Sequence, residues 1–274
     1  FNWLGGSFYN EKLGGIAFSI REHYDWFSQI NDQTTDLIFR GRTSNYFDSL
    51  TIAMNGDTSM IANNPNLSSD TLAAVLFGSR SNPLLLSEIT NGSKVKFLWN
   101  REYNFGWGRK VFGSDSTFAV YAGVGGRFIQ SMALFDLASD ENGFGLSSSV
   151  SPFYGIDYGA IQLLNPSTLS ENKGVLPSVV GSGYGVDLSA SAVLMGKIRV
   201  AAAVNNIGKV TYIRNVYTVK DTILGEMSLP GLGDYNVTEG MNQLLEEGGI
   251  LNLFGEEEIV VANPATFRLG GSIE

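Results

Sequence analysis

The chain has 274 residues, 33 of them glycine, with 12% aromatic and only 16% charged side chains and a formal net charge of −9. No basic stripe is present to neutralise phosphates, which excludes nucleic-acid binding, and the absence of cysteine removes disulfides, zinc–thiolate centres and thiol nucleophiles. No apolar run reaches the ~18 residues of a transmembrane helix, which leaves open the other structure that satisfies its backbone in lipid, a closed barrel that is apolar at every second position.

Phe1 to Tyr9 reads as an opening strand. From Leu13 to Trp26 the period is two: Ile16, Phe18, Ile20, Tyr24 and Trp26 share one face, and Ala17, Ser19, Arg21, His23 and Asp25 share the other. A second run sets Val95, Phe97, Trp99, Tyr103, Phe105 and Trp107 against Lys94, Lys96, Asn100, Glu102 and Asn104. From Thr117 onward Phe118, Val120, Ala122, Val124 and Phe128 alternate with Ala119, Tyr121, Gly123, Gly125 and Arg127. The pattern returns over Tyr184 to Leu194, opposed by Asp187, Ser189 and Ser191, and over Ile198 to Asn205, opposed by Arg199. Phe267, Leu269 and Ile273, opposed by Arg268 and Ser272, complete about seven strands.

The connections alternate in size. Asn10-Glu11, the stretch around Gly113 to Asp115, and Met195-Gly196-Lys197 are tight, whereas residues 28–93, 139–183 and 220–259 are long excursions, far beyond a hairpin loop of about two to five residues. Short turns on one side and long loops on the other match the periplasmic and extracellular ends of outer-membrane barrels. A strand of about 14 residues rises ~46 Å and, tilted by about 40°, covers ~35 Å, enough for an apolar band of about 25 Å. Within the loops, Ser69 to Phe77 reads as a short capped helix, and Asn236 with Glu239 forms a capping box ahead of Met241, Leu244 and Leu245.

Catalytic and metal chemistry finds little support. His23 is the sole histidine, so a Ser-His or His-metal constellation has one imidazole to work with, and its neighbours Arg21 and Asp25 make it a lumen residue instead. Glu256-Glu257-Glu258 suits either calcium or a solvated loop end. Gly123, Gly125 and Gly126 fall inside a strand, which rules out a dinucleotide loop and points to close packing or curvature. The polar faces place Arg21, His23, Asp25, Lys96, Glu102, Arg127, Asp187, Arg199 and Arg268 towards a lumen, as an ion-pair network filling it or as the lining of a conduit for a polar solute. Arg101 breaks the pattern on the apolar face, where an arginine at the bilayer midplane costs roughly 2–4 kcal/mol. A bulge or an interfacial depth is expected there.

Three stretches carry a resemblance: Gly14-Gly15-Ile16-Ala17-Phe18-Ser19-Ile20-Arg21; the hairpin from Gly183-Tyr184-Gly185-Val186-Asp187-Leu188 through Ala203-Val204-Asn205-Asn206-Ile207-Gly208; and Asn263-Pro264-Ala265-Thr266-Phe267-Arg268-Leu269-Gly270. They resemble the FadL-type barrel superfamily, in particular the FadL-like, PorV-related outer-membrane proteins of Bacteroidota. The resemblance covers most strands and little of the loops, and its motifs contain no reactive group. It implies about 14 strands when complete, a lumen plugged by an N-terminal segment and, in the transporters, a path for hydrophobic molecules. The plug motif and the later strands have no counterpart, so residues 1–274 resemble a single barrel region, incomplete at both ends and opening on Phe1 without a signal peptide. Half a barrel leaves two bare edges in lipid, to be covered by further strands of the same protein or by another chain.

The sequence therefore predicts an all-β, antiparallel transmembrane barrel of the bacterial outer membrane, non-enzymatic and without a cofactor. Its expected partners are outer-membrane lipid and other outer-membrane or periplasmic proteins. Its expected role is uptake of hydrophobic compounds or a part in a type IX protein-export assembly. The rival is a soluble, secreted all-β binding or adhesion protein whose apolar face packs on a second sheet. An outer-membrane lipase or protease is a third reading, which one histidine scarcely permits.

Overall fold

A computed structural model describes residues 1–141, 143–156, 158–170, 176–232 and 251–273. The first hairpin is β1 (Asn2–Asn10) and β2 (Gly14–Gln29); Asn10 Oδ1 closes its turn by accepting from the Lys12 and Leu13 amides. Then come α1 (Asp32–Arg40), β3 (Ser49–Met54), β4 (Asp57–Ala62), α2 (Ser69–Ala73), β5 (Val75–Leu85) and α3 (Leu86–Thr90). The second long hairpin, β6 (Lys94–Ser114) and β7 (Phe118–Asp140), leads into β8 (Gly143–Val150). A third, β9 (Gly181–Leu194) and β10 (Ile198–Tyr212), precedes β11 (Val216–Val219), β12 (Ile223–Met227), β13 (Leu253–Gly255), β14 (Ile259–Ala262) and β15 (Thr266–Ile273).

The seven long strands pair antiparallel in the order β1-β2-β6-β7-β9-β10-β15, each beside its sequence neighbour among them. This is the antiparallel all-β architecture expected. Between consecutive members of these seven, the three short turns fall at one end of the sheet and the three long excursions at the other. The sheet does not close: among the described residues β1 pairs only with β2, and β15 only with β10.

Among the described residues the long excursions are folded far beyond the short helices expected in them. Above Ser131, β7 leaves β9 and pairs with β8, and that arm continues through β11 to β13. A separate four-stranded sheet, β12-β5-β3-β4, stands beside it. Leu37, Tyr46, Phe47, Leu86, Ile89, Phe135, Leu137, Tyr217 and Leu253 join these parts in one buried core. We call this assembly the cap. β6 and β7 run to 21 and 23 residues because their upper thirds belong to that core.

The predicted helix over 69–77 is a correction. It ends at Ala73, capped by the Ser68 side chain, and Val75 to Phe77 belong to β5, where Val75 pairs with Ile52 and Phe77 with Thr51. Burial of Val75 with Leu50 and Ile52 outweighs the local helical spacing. The capping box at Asn236 and Glu239 lies outside the described residues.

Two glycines, Gly41 and Gly231, let the end of α1 and the segment after β12 meet backbone to backbone within the cap. Gly41 ends α1 at φ +51, and a Cβ there would collide with backbone atoms of Leu229 and Gly231, while Arg42 N donates to Leu229 O at 2.7 Å. Gly41→Ala is therefore expected to destabilise the protein by about 1–3 kcal/mol, read as a lower midpoint of unfolding. Gly56, at φ +89 with open space around it, is the control: Gly56→Ala carries the backbone strain alone and should cost less.

Candidate functional site

Cross-strand register sorts the long strands into two faces. On one, Ile16 lies opposite Trp107, and the row continues through Val124, Leu188 and Val204 to Phe267. Phe105, Phe128, Tyr184, Leu188 and Phe267 on this face are each at least half exposed. Towards the loop end the same face passes under the cap, where Phe97 and Trp99 pack edge-on against Tyr154 at 6.0 and 6.3 Å between ring centres.

The other face carries the candidate site. Glu102 on β6, its side chain 3% exposed, accepts from Arg21 Nε of β2 at 2.6 Å and lies 3.3 Å from His23 Nδ1 and 3.6 Å from Arg127 Nη1 of β7. Arg127 reaches on to Asp187 of β9 at 3.3 Å, and its Nη1 donates to Asn206 Oδ1 of β10 at 3.2 Å. Five of the nine predicted residues, Arg21, His23, Glu102, Arg127 and Asp187, thus form one network crossing four strands. Asp25 and Lys96 form a separate pair at 4.0 Å. Arg199 stands at the turn end, in a hollow with Asp115 and Tyr121, and Arg268 lies on the edge strand β15 opposite Ala203.

Local backbone explains how the network fits. Between Val204 and Ile207 the β9–β10 register slips, Asn206 takes φ +65, and its amide donates to Asp187 Oδ1 at 2.7 Å. This bulge brings Asn206 into the site, a member that strand alternation alone does not reveal. The glycines of β7 and β9 make room. A Cβ at Gly125 would come within 3.1 Å of Asp187, one at Gly123 within 2.6 Å of Ser189 Oγ, and one at Gly185 within 3.0 Å of Asn206 Oδ1. The close packing expected of Gly123 and Gly125 is what the strands use. Below the network, Tyr9, Gly108, Tyr121, Ser189 and Ala201 line a hollow of about 710 Å³, so the polar face is concave at its turn end.

Donors and acceptors in the network satisfy one another almost completely, which suits a fixed charge lattice rather than a nucleophile–base pair. Three buried polar atoms nearby, Asn100 Oδ1, Asn104 Nδ2 and Arg127 Nε, have no hydrogen-bond partner. Among the described residues, no three His, Asp or Glu side chains are placed to hold a metal ion. Glu256 Oε1 accepts from Thr218 Oγ1 at 3.0 Å.

Arg101 finds a partner. Its Nη2 lies 2.6 Å from Glu22 Oε1 on the adjacent strand, Trp99 Nε1 donates to Glu22 Oε2 at 2.5 Å, and the guanidinium sits 5.7 Å from the Trp3 ring centre. A β-bulge does lie next to it, between Trp99 and Asn100 against β7, but the ion pair with Glu22 satisfies the charge. In the cap, the Ser81 amide above all, with the Ser49 hydroxyl, holds the Asp48 carboxyl below the usual carboxylate range. Burial pushes the Tyr158 phenol up as its ring stacks on Tyr217, 4.2 Å between centres.

The class these features define is an antiparallel all-β protein: a seven-stranded meander, apolar on one face and ion-paired on the other, with a folded cap at one end. No family model, curated protein or solved structure matches the chain.

Proposed function

We propose that the chain is part of a FadL-like β-barrel of the bacterial outer membrane, a non-enzymatic protein that serves uptake of hydrophobic compounds or a type IX protein-export assembly. The observation that carries this reading is the apolar row from Ile16 to Phe267, continuous across six strands of a single-layered sheet. Each large side chain on it is worth about 1.5–3 kcal/mol when removed from water. A soluble sandwich covers such a face with a second sheet. Among the described residues none lies over its turn-end half, where β1 and β15 are exposed along their whole lengths. Lipid meets the same demand on the convex side, while the concave side holds the ion pairs facing a lumen.

The arrangement of the ends agrees. Tight turns suit the periplasmic side, and the cap, with its own core, suits the cell exterior. The edges of β1 and β15 need strand partners before the sheet can rest in hydrocarbon, so barrel closure requires polypeptide beyond the described strands.

Two measurements test the proposal. The purified protein is expected to stay monodisperse only with detergent or lipid, and free solubility without amphiphile overturns the membrane reading. In a deletion strain, loss of uptake of a hydrophobic substrate with secretion intact assigns the first role, and the converse assigns the second. Loss of neither overturns both.

A further inference from the structure

The chain carries a net charge of −9, yet five of its 18 basic residues stand at the turn end of the sheet, where acidic residues are few. Lys12 lies in the β1–β2 turn, Arg109 and Lys110 in the last rows of β6, Lys197 in the β9–β10 turn and Arg199 at the start of β10. Among the described residues the acidic side chains there are Glu11 and Asp115, and Asp115 is already shared by Lys110 at 3.6 Å. The loop end is acidic, with Asp32, Asp48, Asp70, Asp221 and Glu257 among its residues. The charge is therefore polarised along the strands.

One of these cations, Arg109, is interleaved with aromatics on the apolar face, and Lys12 and Lys197 stand in the turns beside it. Trp107, Arg109 and Phe112 follow one another along β6, and Phe112 meets Phe118 of β7 edge-on at 6.1 Å. Trp107 Nε1 donates to the Leu13 carbonyl at 2.8 Å, which fixes the indole at the rim of the first turn. Aromatic rings with one polar handle, beside long cationic side chains able to extend past the apolar band, are what a membrane–water boundary accommodates. An acidic protein partner needs the cations but gains nothing from aromatics set on the lipid-facing side.

We infer that the turn end is an interfacial collar that binds the headgroups of anionic phospholipids, with Lys12, Arg109 and Lys197 as its cations and Trp107, Phe112 and Phe118 as its aromatic seat. This rests on the membrane reading above. Each cation near an anionic surface strengthens association about fivefold at low salt.

The test is flotation of the detergent-diluted protein with vesicles of phosphatidylcholine alone or phosphatidylcholine mixed with phosphatidylglycerol. The mixed vesicles are expected to take up several-fold more protein, and the gain should vanish in about 1 M salt, where the screening length is about 3 Å. The combined variant Lys12→Glu, Arg109→Glu and Lys197→Glu is expected to lose the preference by at least about tenfold. It should float with neutral vesicles as the parent does and keep its circular dichroism spectrum in neutral micelles, which excludes misfolding. Equal flotation in both lipids overturns the collar and leaves the membrane reading intact. Flotation in neither overturns the membrane reading itself. A preference for soluble polyglutamate over the mixed vesicles overturns the lipid assignment in favour of an acidic polypeptide.

Discussion

Glu102→Ala is expected to destabilise the folded protein by about 3–5 kcal/mol, the loss typical when one member of a buried ion pair is removed. The carboxylate is 3% exposed and neutralises arginines on two neighbouring strands, Arg21 of β2 and Arg127 of β7, with His23 of β2 at 3.3 Å. Removing it leaves the Arg127 guanidinium, 13% exposed, with the Asp187 carboxylate at 3.3 Å and the neutral Asn206 Oδ1 at 3.2 Å. Arg21 is 39% exposed, so water takes over much of its role, and Arg21→Ala should cost no more than about 1 kcal/mol although its bond to Glu102 is the shortest in the network. Glu102→Gln, which keeps shape and one acceptor but loses the charge, should fall between them. Denaturant unfolding in micelles, followed by far-ultraviolet circular dichroism, orders the three. Equal losses for Glu102→Ala and Arg21→Ala would show that burial does not govern this lattice.

The long strands were legible because each presents one apolar and one polar face, and period two needs no knowledge of partners. The faces read from Ile16 to Trp26 and from Tyr184 to Leu194 are the faces the register produces. The cap was not legible, for an equally physical reason. In β3, Leu50, Thr51 and Ile52 are buried consecutively, and in β8 Ser148 and Ser149 are fully buried, so burial in these short strands does not follow an apolar–polar alternation. Such strands are defined by what covers them, information that lies far away in the chain. Asn206 escaped notice because a bulge reverses the parity on which face assignment depends.

One missed contact did leave a trace in the sequence. Arg101 was an isolated misfit on the apolar face, but Glu22, between Ile20 and Tyr24, is a misfit of opposite sign on the same face. Opposite charges that break two neighbouring apolar alternations are a signal to look for cross-strand pairing. The register places Glu22 directly against Arg101.

That pair sets the other large effect. Glu22→Leu removes the counter-ion, 3% exposed, and leaves Arg101 on the face that the proposed barrel turns to lipid, so on that reading it is expected to cost about 2–4 kcal/mol in a bilayer, the range for an arginine near the midplane. Arg101→Leu strands the Glu22 carboxylate with only the Trp99 indole as donor and should destabilise in the same direction. The double variant Glu22→Leu with Arg101→Leu, which restores an unbroken apolar row, is expected to return to within about 1 kcal/mol of the parent or to exceed it, since buried pairs commonly gain little over apolar side chains of similar volume. The coupling energy from the four unfolding curves in lipid should then reach about 2 kcal/mol or more. Additive losses, with the double variant the least stable of the four, would mean that water reaches this level of the outer face. The lipid boundary would then have to be drawn closer to the turns.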